Sequence, residues 1–479
     1  MKLDNCLSAD NINQNLLNVR YAVRGPILQR AVQIERELAK GVPKPFDRVV
    51  RANLGDCHYL GQKPITFIRQ VLALAACPEL LTTADVPEDV RQRARELLSD
   101  CGSGSVGAYS PSPGLRIVRN RIAQGIEARD GVPACADDIY IGTGATDVIK
   151  AVLTMFAQDV NGKPPAVMLS VPQYPLFSGT LQELGIRKAD YYLDEDHEWA
   201  LSVQELQRCW TEASKDSHVR ALVVINPGNP TGQVLTRQNM EQIIKFAYEQ
   251  NVFLMADEVF QYNTISKQFH SFKKVMHEMG APYSSMQLAS FSGASKGWAS
   301  ESGYRSGYVE LLRLDPVVMN AFNTVRTIQQ CSSVLGQCVL DCVMKTPSPG
   351  DPSYELFSQE ISCISQLMAE RSKTAFETFN SIPGYFCNPI AGAIFAYPRF
   401  DIPERAQLAA KELGLEPDEF YCLRLLEETG VCVIPGSGFG QSPGTFHFRT
   451  TIAHPREEFQ HMMDCIRTFH LNFLKTHNN

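Results

Sequence analysis

The sequence predicts an α/β fold in which helices flank a mostly parallel sheet, with a smaller α+β domain built from both chain ends. The middle of the chain alternates short β-rich runs with helical patterns, which is typical of a parallel sheet covered by helices. The run TPSPG at residues 346–350 resembles a linker and precedes a long helical pattern. The 479 residues are 44% hydrophobic and 20% charged, which is enough for two or three domains with cores of their own.

Strands of the large sheet are predicted where short apolar runs end in polar or turn-forming residues. The predicted strands cover residues 138–142, 166–171, 221–226, 252–257, 287–291 and 307–310. Helical patterns lie between them, among them residues 148–156 and residues 237–249, and the polar Thr236 opens the second of these. We therefore expect consecutive strands to be joined by helices that cross the faces of the sheet.

Both ends of the chain differ from the middle and predict the smaller domain. Helices are expected at residues 26–40 and 354–382, and short strands near residues 393–398, 431–434 and 446–450. The expected division is an N-terminal arm with part of the small domain at 1–80, a large domain at 81–346 and a C-terminal small domain at 347–479.

Charge and composition argue against several functions. The net charge is −7 and no basic block occurs, so we expect no nucleic-acid partner and no role at a membrane surface. The sequence contains no run of about 18 apolar residues, so no transmembrane helix is predicted. The 14 cysteines form no C-x-x-C pair and no H-E-x-x-H occurs, so free thiols and no metal site are predicted. Asp4 and Asp10 make the start unlike a transit peptide, which favours the cytosol and leaves mitochondria open if a presequence was removed.

Gly102, Gly104 and Gly107 form a G-x-G-x-x-G motif. A dinucleotide-binding fingerprint follows a strand and opens a helix. This motif instead follows the charged helical pattern VPEDVRQRARELLSD and leads into AYSP. We therefore expect no NAD site, and an NAD-dependent dehydrogenase would rest on this motif alone.

Polar and small residues gather where the predicted strands end, which is where open α/β sheets bind ligands. The run GTGATD at residues 142–147 follows one strand and begins a helix, so backbone N–H groups and the Thr146 hydroxyl could approach an anion. Tyr174 lies between two prolines after the next strand and could stack on a planar ring. Taken alone, the first motif also suits a simple turn and the second an ordinary core aromatic.

Three further strand ends carry polar side chains. Asn229, in NPGNPTG, could donate its amide to a ligand oxygen. Asp257 ends an apolar strand, where a buried carboxylate is costly unless it pairs with a cation, such as a protonated ring nitrogen or an arginine, or caps the next helix. Lys296 could form a Schiff base in a dry pocket, and Arg305 suits a phosphate, although a solvated lysine in a Gly/Ser loop fits Lys296 alone. Together the set suits a phosphorylated pyridine aldehyde, pyridoxal 5'-phosphate (PLP).

The motifs NPGNPTG, ADEV, SKG with a following arginine, and HFRTT resemble the fold-type I PLP-dependent aminotransferases. The segments SVGAYSPSPG, VPQYPLF and IPGSGFGQSPGTFHFRTTI are similar in particular to the alanine aminotransferases, and the resemblance covers about residues 15 to 475. It implies the PLP-dependent transferase fold and transfer of the amino group of L-alanine to 2-oxoglutarate. The products would be pyruvate and L-glutamate, formed in a ping-pong reaction through a Schiff base on Lys296.

The resemblance also implies roles for individual residues. Lys296 would hold PLP and act as the base, Asp257 would pair with the pyridine nitrogen, and Tyr174 would stack on the ring. Asn229 would bind the phenolic oxygen and lie near the substrate. The substrate would meet Arg449 at its α-carboxylate and Gly55 from the N-terminal segment. The phosphate ligands would be Ala145, Thr146, Ser295 and Arg305, with Tyr109 reaching in from the neighbouring subunit of a homodimer.

Two single positions near the cofactor differ from the usual family residues, and the family's G-E-C-G after the lysine reads Ser300-Glu301-Ser302-Gly303 here. The family has tyrosine three residues after the aspartate, where this chain has Phe260, with Tyr262 two residues further on. The family often has serine three residues before the lysine, where this chain has Gly293. Loss of the tyrosine donor would change the tuning of PLP or slow the chemistry unless Tyr262 or another group replaces it.

Several alternatives stay open at this stage. One is an aminotransferase with another substrate range, such as aromatic amino acids. A second is a related PLP-dependent lyase of the kind that forms a cyclopropane ring in plants. A third is a PLP-binding protein that has lost its activity, for which Phe260 and Gly293 are the arguments.

Overall fold

A seven-stranded sheet forms the centre of the computed structural model, which describes residues 7–19, 21 and 25–478. Its strands are β1 Ile139–Thr143, β2 Pro165–Val171, β3 Arg187–Tyr192, β4 His218–Ile225, β5 Phe253–Asp257, β6 Leu288–Gly293 and β7 Ser306–Leu312. They lie in the order β1-β7-β6-β5-β4-β2-β3. Neighbouring strands are parallel except that β7 runs antiparallel to both β1 and β6. The predicted α/β fold with a mostly parallel sheet is confirmed.

Most of the remaining regular secondary structure is helical, with some helices around this sheet and others in the core shared by the two chain ends. They are α1 Gln14–Leu17, α2 Pro26–Ala39, α3 Thr66–Ala76, α4 Leu80–Thr83, α5 Glu88–Asp100, α6 Arg116–Asp130, α7 Ala145–Thr154, α8 Pro175–Leu184, α9 Val203–Ala213, α10 Arg237–Glu249, α11 Phe272–Met279, α12 Pro316–Ile328, α13 Val334–Met344, α14 Tyr354–Asn380, α15 Glu404–Glu412, α16 Pro417–Thr429 and α17 Arg456–Asn478. The expected N-cap of α10 is present, since Thr236 Oγ1 accepts from the Asn239 N–H at 3.2 Å.

All six predicted strands of the large sheet are present, with small shifts at their ends. The prediction lacks β3, which pairs only with β2 at the sheet edge. Its sequence RKADYY begins with the exposed Arg187 and Lys188, so its apolar signal is weak. Charged residues on an edge strand protect it from pairing with other chains. The G-x-G-x-x-G motif follows α5 and forms a short 3-10 turn at Gly102–Gly104, so it lacks the strand that a dinucleotide site needs.

The two faces of the sheet bury different helices because side chains alternate along each strand. In β4, Ala221 and Val223 face a core shared with α7 and α8, whereas Leu222 and Val224 face a core shared with α9 and α10. A third core lies beyond β1 and contains residues of α3, α5, α6 and α13. The sheet is therefore covered on both faces, which leaves the ends of its strands as the open sites.

Residues from both ends of the chain share a further core. Ile27 and Ile34 of α2 pack there with Leu425 of α16 and Met462 of α17. Short strands accompany these helices: β8 Tyr385–Phe386 pairs with β10 Arg399–Phe400, and β11 Ile434–Pro435, β12 Phe448–Thr451 and β9 Phe395–Ala396 form a three-stranded sheet. The domain boundaries after residues 80 and 346 stay predictions, and α3 packs in the third core with α5 and α13.

A buried ion triad joins α5, α6 and α13, and its loss should destabilise the fold strongly. Asp341 is fully buried and accepts from Arg93 Nη1 at 3.1 Å and from Arg121 Nη1 at 2.6 Å. We expect Asp341→Ala to lower the free energy of unfolding by about 3–5 kcal/mol, because two buried guanidinium groups lose their shared carboxylate. Urea unfolding measures this loss. Asp137→Ala, which removes the exposed partner of Arg116, serves as the control and should cost less than about 1 kcal/mol; equal losses would contradict the account.

Three features of the described residues bear on the sequence-based expectations. None of the helices within those residues is long and apolar enough to cross a membrane. No cluster of three His, Cys, Asp or Glu side chains in that part of the chain is placed to hold a metal ion. The cysteines in the same ranges are free thiols, most of them buried.

Candidate active site

The carboxyl ends of β4, β5 and β6 lie side by side, which brings the residues that follow them together. Ile225 pairs with Asp257, and Asp257 pairs with Phe291. The Asn226 N–H donates to the Asp257 carbonyl oxygen at 3.0 Å. The motif NPGNPTG, the Asp257 carboxylate and Lys296 therefore meet at one edge of the sheet, as the strand-end pattern predicts.

Lys296 lies at the centre of this edge. Its Nζ donates to the Gly55 carbonyl oxygen and lies 5.7 Å from the centroid of the Phe260 ring. A Cβ at Gly55 would lie 3.1 Å from Lys296 Nζ and 2.8 Å from Phe395 Cζ, so only glycine leaves room for the amine. Burial lowers the pKa of Lys296. A lowered pKa favours the uncharged amine, which is the form that acts as a nucleophile or base.

Asp257 is buried without a cation beside it. Its side chain is 7% exposed, and Oδ1 accepts from the Val259 N–H at 3.2 Å. No ion pair among the described residues includes it, and burial raises the pKa of Asp257 to about 6 although the Val259 N–H opposes this. A buried carboxylate of this kind is stabilised by a cationic partner. The site therefore offers a place for a positively charged ring nitrogen.

The unpaired Asp257 carboxylate should make the free energy of unfolding of the cofactor-free protein depend on pH. Because the pKa of Asp257 is raised above that of the unfolded chain, both states bind its proton below about pH 4 and no penalty arises there. Above about pH 6 only the folded state holds a buried charge, so folding loses stability as the pH rises between these values. We expect Asp257→Asn to raise the free energy of unfolding by about 2–3 kcal/mol at pH 8 and by nothing at pH 4. Urea titrations of both proteins at both pH values measure this, and a pH-independent difference would contradict it.

Arg449 is the second charged group at this edge. It is 2% exposed, with Nη1 donating to Asn229 Oδ1 at 3.0 Å and Nη2 donating to the Asn53 carbonyl oxygen at 3.0 Å. Its Nε has no hydrogen-bond partner, and no carboxylate pairs with it among the described residues. Burial lowers the pKa of Arg449 to about 10. A buried guanidinium without an acid suits a carboxylate ligand, which it can bind through two parallel hydrogen bonds.

The aromatic rings Phe395 and Phe439 hold Arg449 in place. The guanidinium carbon lies 3.9 Å from the Phe395 ring centroid and 4.9 Å from that of Phe439. Contacts between a cation and a ring face are attractive and strengthen when water is excluded. The rings therefore fix the plane of the guanidinium before any ligand binds.

The start of α7 forms the anion-binding part of the site. A Cβ at Gly144 would lie 2.5 Å from Arg305 Nη2, so the guanidinium rests directly against the turn before α7. Gly144 gives no side-chain cap, which leaves the N–H groups of Ala145 and Thr146 without partners inside the helix. The free N–H groups, the helix dipole and Arg305 together favour a phosphate. Thr146 and Arg305 also line a cavity of about 390 Å³.

Tyr174 ends the segment after β2 and is half-buried. Its hydroxyl lies 3.0 Å from the Tyr21 hydroxyl, which brings Tyr21 to the site. Burial raises the pKa of Tyr174, Tyr21 raises it further, and Arg449 lowers it, so these three groups are close together. Tyr174 also packs against the core shared by α7 and α8.

Two of the predicted residues lie at the margin of this arrangement. Ser295 is half-buried, and its carbonyl oxygen accepts from Ser302 Oγ at 2.9 Å. Tyr109 is 79% exposed in the loop after α5, and no hydrogen bond or ring contact joins it to the other predicted residues within the described chain. A single subunit therefore does not bring Tyr109 into the site.

Phe260 and Gly293, the positions that differ from the usual family residues, are both set by packing. Phe260 is buried with its ring centroid 6.0 Å from that of Phe395. Tyr262 does not replace the missing hydroxyl, because its own hydroxyl donates to Met344 Sδ at 3.7 Å in the third core. A Cβ at Gly293 would lie 2.8 Å from the Ser306 carbonyl oxygen, so serine does not fit there without a shift.

Three contributors to the site were not predicted from the sequence. Asn53 supplies a carbonyl oxygen to Arg449, Tyr21 reaches Tyr174, and Phe439 covers the guanidinium. Each acts across a long sequence separation. Asn53 is only two residues from the predicted Gly55, and its position in NLGD is the one hint that could have pointed to it.

The residues fit PLP on observations of this structure. The buried Asp257 lacks a cation, the amine of Lys296 has a lowered pKa, and the free start of α7 faces Arg305. These three features match the ring nitrogen, the aldehyde and the phosphate of PLP in turn.

The family model described as "Aminotransferase class I and II" matches residues 75–466. The chain belongs to the class I and II aminotransferases. Enzymes of this family use PLP, so the predicted cofactor is confirmed. The match spans β1 to β7 and most of the C-terminal part of this aminotransferase, including Lys296 and Arg449.

Individual relatives agree with the family. The chain is 48% identical to alanine aminotransferase 1 of Homo sapiens over 98% of this chain and 95% of that protein. It is 39% identical to a probable mitochondrial alanine aminotransferase of Dictyostelium discoideum over 98% of this chain and 89% of that protein. A solved alanine aminotransferase of Pyrococcus furiosus has a TM-score of 0.74 at 20% identity, with 96% of this chain and 99% of that chain covered, which supports the fold. The predicted resemblance to alanine aminotransferases is confirmed.

Proposed function

We propose that the protein transfers the amino group of L-alanine to 2-oxoglutarate and so forms pyruvate and L-glutamate. The 48% identity to an alanine aminotransferase over nearly the whole chain supports the choice of substrates. The observation that carries the proposal is the buried Arg449, which lacks an acidic partner in the described chain and lies at the same strand ends as Lys296. An amino acid and a 2-oxo acid both present an α-carboxylate to such a group.

PLP, when bound, supplies an aldehyde that takes up the amino group and a ring that accepts an electron pair. The protein residues bind and orient the substrate, and they transfer the protons. Burial lowers the pKa of Lys296, which favours its uncharged amine, and in that form its Nζ can take the proton from the substrate Cα. Asp257 in its ionised form holds a proton on the ring nitrogen, since the pair of charges stabilises itself in a buried place.

Arg449 orients the substrate in this proposal. Its Nη1 and Nη2 already donate to Asn229 and Asn53, which fixes the fork, and Nε is free to donate. A bidentate grip on the α-carboxylate sets the direction of the Cα–H bond relative to Lys296. One site would serve both half-reactions, which gives ping-pong kinetics.

A coupled assay tests the proposed substrates. PLP-loaded protein is mixed with L-alanine and 2-oxoglutarate, and pyruvate is followed with lactate dehydrogenase. Parallel reactions use phenylalanine, tyrosine and S-adenosylmethionine in place of alanine; L-glutamate formation is followed for the amino acids, including alanine, and loss of the substrate for S-adenosylmethionine. We expect continued pyruvate formation only when both alanine and 2-oxoglutarate are present, since alanine alone can give no more than one pyruvate per PLP, and we expect alanine to be turned over fastest. Faster turnover of an aromatic amino acid, or of S-adenosylmethionine without any 2-oxo acid, would replace the proposal with one of the alternatives.

We also propose a homodimer in which Tyr109 reaches the neighbouring active site. The 79% exposure of Tyr109 supports this, as do the exposed apolar residues Val317 (76%) and Ile328 (77%) of α12. Light scattering should give about twice the mass of 53.3 kDa. Mixing Lys296→Ala with Tyr109→Ala subunits should restore activity above that of either variant, because one site in each mixed dimer is intact. A monomer, or no recovery on mixing, would refute the arrangement.

We also propose that the protein is located in the cytosol. The sequence favours the cytosol, whereas the Dictyostelium discoideum relative is named as mitochondrial. Fractionation of cells that express the tagged chain decides between the two compartments.

A further inference from the structure

Helix α14 carries an apolar stripe that the described chain covers only in part. Leu356, Ile364, Leu367 and Met368 recur at helical spacing and line one wall of a cleft, and Leu356 is 50% exposed. The loop at residues 60–64 forms the opposite wall. The cavity is about 600 Å³, which is within the range of about 300–1,000 Å³ for sites that bind small molecules.

Arg371 ends this stripe and gives the cleft a positive charge. Its Nη1 donates to the Ala453 carbonyl oxygen at 3.2 Å, and its buried Nε has no hydrogen-bond partner. Neither Arg371 nor Lys63 on the opposite wall forms an ion pair among the described residues. Glu360 is already bound at the start of α3, where its carboxylate accepts from the Thr66 N–H at 3.0 Å and from Thr66 Oγ1 at 2.5 Å. The cleft therefore pairs an apolar wall with a cation that lacks a counter-ion.

We propose that this cleft binds an amphipathic monocarboxylate with an unbranched alkyl chain. The carboxylate would meet Arg371, and the chain would run along the stripe toward Leu356. Fifteen residues separate these two positions, which corresponds to about 22 Å of helix. A dicarboxylate such as 2-oxoglutarate would have to bury its second charge against Leu367 and Ile364, so the cleft discriminates against it.

The cleft is separate from the substrate site. Leu60, Met368 and Ala453 of the cleft pack in one small cluster with Phe260 and Phe395, and those two rings contact Lys296 and Arg449 from the other side. A ligand in the cleft and a substrate at Arg449 can therefore be bound at the same time. The proposal stands whether or not alanine is the substrate.

Calorimetry on the PLP-loaded protein tests the proposal with octanoate, decanoate and decanol as probes. We expect decanoate to bind about 15-fold tighter than octanoate, because each added methylene contributes about fourfold when buried. Decanol should bind at least about tenfold more weakly than decanoate, because it lacks the charge that Arg371 recognises. Equal binding of the two carboxylates, or of decanoate and decanol, would overturn the proposal.

Two variants locate the binding site. Leu367→Glu places a negative charge one helical turn from Arg371, at a side chain that belongs to none of the cores, and should weaken decanoate binding by at least about tenfold. Leu408→Glu, at a 55% exposed position on α15, is the matched control and should bind decanoate normally. Arg449→Lys should also bind it normally. Loss of binding in Arg449→Lys, with normal binding in Leu367→Glu, would assign decanoate to the substrate site and refute the proposal.

A chemical readout checks the same point without variants. Cys363 is exposed and lines the cleft, whereas Cys77 and Cys135 are exposed elsewhere. Decanoate should slow the alkylation of Cys363 by iodoacetamide and leave the other two thiols unaffected, as read by peptide mass spectrometry. Equal rates at Cys363 with and without decanoate would contradict the assignment.

A Leu367→Glu protein with an altered mass in solution would show instead that the cleft is a contact between copies of the chain.

Discussion

Lys296→Ala is expected to lower kcat by about 10⁴-fold, because one substitution removes both the covalent anchor of PLP and the base for the Cα proton. The visible absorbance of the bound cofactor should change with it. The free energy of unfolding should not fall, since burial already disfavours the charged form of this lysine and its one hydrogen bond is to the Gly55 carbonyl oxygen. Steady-state kinetics, absorbance spectra and urea unfolding measure the three effects.

Lys267→Ala is the control for this variant. Lys267 is a half-buried lysine that pairs with Glu198 at 2.7 Å and, within the described chain, forms no hydrogen bond or ion pair with Lys296, Asp257 or Arg449. Its loss should leave kcat and the spectrum unchanged. Turnover of alanine at a normal rate by Lys296→Ala would show that another residue moves the proton.

Arg449→Lys is expected to raise KM for both the amino acid and the 2-oxo acid by about 10-fold to 100-fold. Lysine keeps the charge but loses the fork, and a charge-assisted hydrogen bond is worth about 1.5–3 kcal/mol. Both substrates should suffer alike, because the feature they share is the α-carboxylate. The contacts to Asn229 and Asn53 cannot both form with an ammonium in the same plane, so kcat should also fall somewhat.

Matched kinetics with Arg405→Lys, an exposed arginine on α15, give the baseline for this comparison. A rise in KM for only one of the two substrates would assign Arg449 to a distal group rather than to the α-carboxylate. Unchanged KM for both would remove Arg449 from substrate binding altogether.

Much of the fold follows from local patterns in the sequence. The apolar runs before Asp257 and Asn226 predict buried parallel strands, because a strand that is covered on both faces has apolar residues in succession. The start of α10 follows from Thr236, whose hydroxyl caps it. The edge strand β3 is not predicted in this way. It pairs with only one neighbouring strand, and its exposed polar residues obscure the pattern of buried apolar residues that identifies a strand.

The site divides in the same way. Asp257 and Lys296 can be predicted because Asp257 ends β5 and Lys296 lies three residues after the end of β6. The partners of Arg449 cannot be predicted, since Asn53 and Phe439 reach it only after the two chain ends have packed together. Tyr262 shows that closeness in sequence is not enough. It lies two residues after Phe260, but its hydroxyl donates to Met344 Sδ in the third core and not to the site.

The central claim is that Lys296 carries the cofactor, and borohydride reduction tests it most directly. PLP-loaded protein is reduced, digested and mapped by mass spectrometry, with the Lys296→Ala variant treated in parallel. The account predicts one modified peptide, which contains Lys296, and no modified peptide in the variant. Stable attachment of PLP to a different lysine, in the wild type as well as in the variant, would contradict it.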